Sequence, residues 1–349
     1  MNRSIDKKTI IIHIGYPKTG STSLRHFLFP NHKDLNYLGR FDTTVNHLKI
    51  TELLVKLKDN DFENEIDQIV KIAKNINFSE IKTNLIADEF IINYSIHYDN
   101  DGDFNRTVER TIKRAKYIFD KINVNLKVCF MIRNQSELIP SFYSNTAPEL
   151  GKSMTYNADD ILHFFKSKQT NNYLLKRFCD GLKFSEMYEK IAGIIGQENL
   201  KVFIFDKVKY DFKNYIYELS RYLKIDKNTS YKLMKNKSHF TAMMYLNEEI
   251  KANSPMSILF HKIKRTIKLP KEFFKNFNKK LNIAKKLSKM QFSAEYKKNK
   301  IQTKKTREAI MTQYNSLRKN SNIIKDYYKD DSIKLEKFLK EDLKKFNYY

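Results

Sequence analysis

Residues Thr9 to Phe29, TIIIHIGYPKTGSTSLRHFLF, pass from an apolar β-branched run through two glycines directly into a helical repeat. Thr9–Ile14 has the composition of a strand buried on both faces, and Leu24, Phe27 and Leu28 recur at helical spacing. The joint between them holds Gly15, Pro17, Gly20, Ser21, Thr22 and Ser23. Backbone N–H groups at a helix N-terminus and three hydroxyls can therefore converge there on one anion, which makes the joint a phosphate cradle. A glycine turn leading into Ser and Thr is also an ordinary helix cap, so the loop needs a second element beside it.

Gly15 and Gly20 have the spacing of the nucleotide P-loop G-x-x-x-x-G-K-[ST], but Ser21 stands where that loop requires lysine. Lys18 lies inside the loop instead. The order Pro17-Lys18-Thr19-Gly20-Ser21-Thr22 resembles the 5′-phosphosulfate loop, P-K-[ST]-G-[ST]-[TS], of the sulfotransferases that use PAPS (3′-phosphoadenosine 5′-phosphosulfate). The resemblance implies that Gly15, Tyr16, Pro17, Lys18, Thr19, Gly20, Ser21, Thr22 and Ser23 bind the donor, with Lys18 neutralising the bridging oxygen as the nucleotide leaves.

The second element is at Leu126 to Ile132, an apolar run followed by Arg133-Asn134-Gln135 and then SELIPSFYSN. It resembles the 3′-phosphate motif of the same family: an arginine ends a strand, a serine follows eight positions later on a helix, and an aromatic comes two places on. Arg133, Ser141 and Tyr143 fit that spacing. A guanidinium meets a phosphate dianion as a two-pronged donor, and a helix-borne hydroxyl adds a further hydrogen bond. Gln135 stands where the family often has proline. Read without the first loop, Arg133 could equally close a strand and Ser141 lie on a helix surface.

Strands are expected at Thr9–Ile14, Leu85–Ala87, Leu126–Ile132 and Leu200–Phe205, separated by helical stretches such as Ile50 to Ile81 and Asn214 to Leu223. That alternation predicts an α/β fold, a P-loop-type doubly wound parallel sheet flanked by helices, with ligands at the carboxyl ends of its strands. Both anion motifs begin at such ends. The expected division is an α/β domain over residues 1–250 and a basic helical region over 251–349 packing on the same domain. The closing DYYKDDSIKLEKFLKEDLKKFNYY resembles the last segment of bacterial glycan-type sulfotransferases, although any amphipathic helix with Leu335, Phe338, Leu339 and Leu343 on one face reads alike.

Residues 261–320 carry nineteen Lys or Arg and three Glu, a net +16 of the chain's formal +25. The stretch reads either as a surface for a polyanionic glycan, an acidic membrane face or nucleic acid, or as a solvated helical face. No zinc pattern or recognition helix supports nucleic acid. Two cysteines, Cys129 and Cys179, give no disulfide framework and suit a reducing compartment. No apolar run approaches the roughly 20 residues that span a bilayer. The expected setting is therefore the cytoplasm, with peripheral contact at the inner membrane face through 261–320 as one reading. The histidines have no metal-ligand spacing, and no metal is expected.

Sulfuryl transfer resembles phosphoryl transfer in asking chiefly for positioning and charge stabilisation. The acceptor hydroxyl also needs a general base. Glu89 and then Asp88, after the strand Leu85–Ala87, stand where the family places a base, or else they cap the segment that follows. His13 is a supporting candidate, and Asp42 and His47 could line an acceptor cleft. The reading is a PAPS-dependent sulfotransferase, yielding the spent 3′,5′-bisphosphate nucleotide PAP, with a carbohydrate or lipid-linked glycan as acceptor. A P-loop kinase, or a non-catalytic basic protein binding membrane or nucleic acid, is the alternative. Residues Lys235 to Phe240 are where part of a nucleotide lid is sought.

Overall fold

The computed structural model describes residues 8–39, 50, 53–88, 91–92, 104–146, 157–235 and 308–349. Of the positions singled out above, Asp42, His47, Glu89 and the stretch 236–307, with most of the basic region, lie outside the described residues. The chain divides into one compact unit, Met1–Lys235 with Gln313–Tyr349, and a second, Asn236–Thr312.

Five strands build its sheet: β1 (Lys8–Gly15), β2 (Leu35–Tyr37), β3 (Thr83–Ala87), β4 (Val124–Ile132) and β5 (Leu200–Ile204). They lie in the order β2-β3-β1-β4-β5, and every neighbouring pair is parallel. The fold is thus the expected α/β one, a parallel sheet between helices. Its strands read as continuous apolar runs because both faces are covered. Ile10, Ile12 and Ile14 of β1 point into one core with Val128 and Phe130, while Ile11 joins Leu85, Cys129 and Met131 in the other.

Helices Phe104–Lys121, Gln135–Thr146 and Phe184–Ile195 cover the first face, burying Val108, Ile112, Leu138 and Ile191. The helix Phe212–Leu223 covers the second through Tyr215, Ile216 and Leu219, beside Leu24 and Leu28 from the segment after the first loop. That segment is a three-residue α-turn, Ser21–Ser23, continued by a π-turn, Leu24–Leu28. Single π-turns are rare and concentrate at functional sites.

The amphipathic closing segment forms the helix Ser321–Leu339, with Leu335 fully buried and Phe338 and Leu339 packed against the core. Leu343 is buried too, but it lies beyond the helix: Lys340 takes a left-handed conformation (φ 54°) and ends it. Asp331 of this helix accepts from the Ser185 backbone N–H at 3.1 Å and from its hydroxyl at 2.5 Å, capping the start of Phe184–Ile195 from a distant part of the chain.

From β1 the chain passes to the edge strand β2, returns to β3 beside β1, then crosses to β4 and β5 on the other side. β1 and β4 are therefore neighbours whose following loops leave in opposite senses. That is the switch point where open α/β sheets bind their ligands.

Candidate anion-binding site

The loop after β1 is held from beneath. A Cβ on Gly15 would collide with the Ser21 hydroxyl and lie 2.6 Å from the Ser21 Cβ, so only glycine lets the helix start sit against the strand end. The buried Thr19 hydroxyl donates to the Tyr16 carbonyl at 2.6 Å and lies 3.1 Å from the Ser21 hydroxyl. Tyr16 turns away from the loop. Its ring is buried against Phe184, and its hydroxyl donates to the Gly181 carbonyl at 2.9 Å, so what it offers the loop is backbone.

Two residues of the loop have left-handed backbone, Lys18 at φ 64° and Gly20 at φ 77°. For lysine this costs about 1 kcal/mol, a local strain of the kind stored at functional sites. It also turns the Lys18 carbonyl toward the second motif, where Arg133 Nη1 donates to it at 3.2 Å. The loop after β1 and the arginine after β4 are thereby joined by a direct hydrogen bond.

Phe205, just past β5, completes the junction. Its ring lies close to Gly20, where an added Cβ would be 2.6 Å from Cε2, and the Arg133 guanidinium sits 5.7 Å from its centroid. Its backbone N–H donates to the Ile132 carbonyl at 2.8 Å, fixing it beside the end of β4. Phe205 was expected as the last residue of the strand Leu200–Phe205; it lies just past β5, with its ring beside both Gly20 and Arg133.

Arg133 is further tied to Glu137, one helical turn on, with Nη2 to Oε2 at 2.9 Å. The same oxygen takes Lys209 Nζ at 2.5 Å. Burial works to raise the Glu137 carboxyl, but the hydrogen bonds from Lys209 and Arg133 hold it below the ordinary glutamate range. Ser141 is half-buried on Gln135–Thr146, four residues after Glu137 and so on the same helix face. Tyr143 belongs instead to the core, its hydroxyl 3.5 Å from Gln313 Oε1.

Asn134 anchors this arginine from behind. Its side-chain oxygen caps the following helix through the Ser136 N–H at 2.8 Å, and its amide nitrogen donates to the carbonyls of Phe346 and Asn347. Asp206 receives the Asn134 N–H at 2.8 Å and the Tyr348 hydroxyl at 3.3 Å. Burial pushes the Asp206 carboxyl up, against the opposing pull of the Asn134 N–H and of Lys209. Residues near position 347 thus support a loop at position 133, a contact no local pattern announces.

On the other side of β1, Asp88 follows β3 directly and is buried, its backbone N–H on the His13 carbonyl at 3.2 Å. Its place is the same carboxyl edge as the first loop. His13 is buried edge-on to Phe29, 5.4 Å between centroids. Burial first, and the charge of nearby Arg25 second, hold its pKa down to about 3. A neutral imidazole that weak in basicity supports the loop and does not collect protons. Arg25, which the sequence reading did not single out, is buried under the helix start with Nη2 3.4 Å from the Thr22 hydroxyl. It lies three residues after Thr22, a helical spacing that could have flagged it.

Among the described residues, no cluster of three or more His, Cys, Asp or Glu is arranged to hold a metal, and no helix is long and apolar enough to cross a membrane.

No protein-family model matches this chain, and no curated protein does. Among solved structures it is similar to the crystal structure of a sulfotransferase from Alicyclobacillus acidocaldarius, at 14% identity and a TM-score of 0.40, over 64% of this chain and 83% of that one.

Proposed function

We propose that this chain is a sulfotransferase that takes the sulfuryl group from PAPS and delivers it to a hydroxyl of a carbohydrate or lipid-linked glycan. One observation carries the reading: the Arg133 guanidinium, after β4, donates to the carbonyl of Lys18, in the loop after β1. Two anion motifs that resemble the 5′- and 3′-phosphate elements of one donor are thereby joined at one switch point.

In this reading the backbone N–H groups and hydroxyls around Gly20, Ser21, Thr22 and Ser23 hold the 5′-phosphate at the positive end of a helical turn. Arg133 and Ser141 take the 3′-phosphate. Lys18 balances charge on the bridging oxygen as the nucleotide departs, the role that accelerates transfer most when the donor is positioned in advance. Glu89, or Asp88 directly after β3, takes the acceptor's proton. The basic stretch 261–320 offers that acceptor, or an anionic membrane face, a complementary charge; co-sedimentation with anionic but not neutral vesicles, abolished by salt, tests the membrane arm.

Calorimetry with adenosine 3′,5′-bisphosphate tests the whole reading. Tight, metal-independent binding that requires the 3′-phosphate is the expected result. Preference for ATP with Mg²⁺ moves the protein to the kinases, and no nucleotide binding leaves the basic surface as its working part.

A further inference from the structure

The guanidinium of Arg133 is divided among unequal partners. Nη1 is on the Lys18 carbonyl, Nη2 is on Glu137, and Nε is buried with no hydrogen-bond partner. Nε and Nη2 form one edge of the guanidinium, the edge that grips two oxygens of a phosphate side-on. Half of that edge lacks an acceptor, and the other half is held by a carboxylate carrying the same sign of charge as the phosphate. Glu137 also has a second cation: the oxygen it gives Arg133 lies 2.5 Å from Lys209 Nζ.

Resting on the donor-site reading above, we infer that Lys209 is a specificity-determining residue of the Arg133 anion site, because it retains Glu137 when a phosphate dianion takes the Nε/Nη2 edge. No bond is made or broken beyond hydrogen bonds and ion pairs. Glu137 leaves Nη2 and keeps Lys209, so a carboxylate whose side chain is only 24% exposed is not stranded without a partner. Without Lys209, Glu137 has nowhere to go and competes with the incoming phosphate for the arginine. Lys209 acts through Glu137 and is a positioning residue; its side chain is 46% exposed, which moderates the effect.

Three full-length variants separate this from direct contact: Lys209→Met, Glu137→Gln and the two combined. Lys209→Met weakens adenosine 3′,5′-bisphosphate about tenfold, the scale of a charge-assisted hydrogen bond lost or opposed, and leaves adenosine 5′-monophosphate unchanged. The double variant returns to within about twofold of Glu137→Gln alone, since no carboxylate remains to compete. Unchanged affinity in Lys209→Met overturns the inference. So does a double variant as weak as Lys209→Met, which would put Lys209 on the phosphate itself.

If no nucleotide binds any variant, the donor-site reading fails separately, and inorganic phosphate followed by NMR on the Arg133 Nε–H still decides. The order expected there is the same, with half-saturation moved about tenfold upward in Lys209→Met and restored in the double variant. Identical titrations in all variants exclude the device.

Discussion

At the scale of single residues, the most exacting position is Gly20. Its φ of 77° disfavours any Cβ, and a methyl there would press to 2.6 Å from the Phe205 ring that also underlies Arg133. Gly20→Ala is expected to cost about 1–2 kcal/mol in denaturant unfolding. Because the ring must move, adenosine 3′,5′-bisphosphate should bind more weakly as well; full affinity in a destabilised variant would separate the ring from the site. Lys18→Ala and Arg133→Ala are each expected to abolish sulfuryl transfer while the melting curve stays cooperative, and turnover at the parent rate in both would remove the proposed function. Lys18 and Arg133 stand out in the sequence because each follows an apolar run and sits in a short ordered motif. The contacts of Phe205 with Arg133 and of Lys209 with Glu137 do not, because they depend on β5 lying beside β4, a fact of the sheet and not of any local window.

Elements were legible in proportion to their burial. β1, β3, β4 and β5 announced themselves as runs covered on both faces, each found within one or two residues of its expected ends. β2, three residues at the sheet edge, is too short for periodicity to register. Besides its buried Ile324, Tyr328 and Leu335, Ser321–Leu339 docks through Asp331, whose pKa is raised to about 6, chiefly by burial, with the Ser185 hydrogen bonds opposing. A carboxyl that holds its proton more tightly folded than unfolded adds stability that is complete below about pH 4 and lost as the pH rises through about 6. Asp331→Asn removes that titration. The stability of the parent relative to this variant is therefore expected to rise by about 2–3 kcal/mol between pH 7.5 and pH 4. Parallel pH profiles of the two melting curves would contradict it.

For the whole molecule, the two cysteines report integrity. Cys129 lies in the middle of β4 and Cys179 under the Tyr328 hydroxyl, and burial pushes both thiols well above the usual range. Neither should react with a thiol-specific dye in the native protein, and both should react together on unfolding. Fast labelling of one at neutral pH, without denaturant, would mean that its face of the sheet opens separately. The doubly wound class was readable because strands and helices alternate. That Phe346, Asn347 and Tyr348 lie behind Asn134 and Asp206 was not, since those contacts join distant parts of the chain.

The sheet order has a consequence for synthesis. Of the five strands of this sheet, β1 is made first and is central in space, and it needs β3 on one flank and β4 on the other. At about 5–20 residues per second, roughly ten seconds separate the emergence of β1 from that of β4. For that interval the Ile-rich central strand has at least one open edge outside the ribosome, and a holding chaperone that favours short β-branched segments would meet Thr9–Ile14 before the other strands of this sheet.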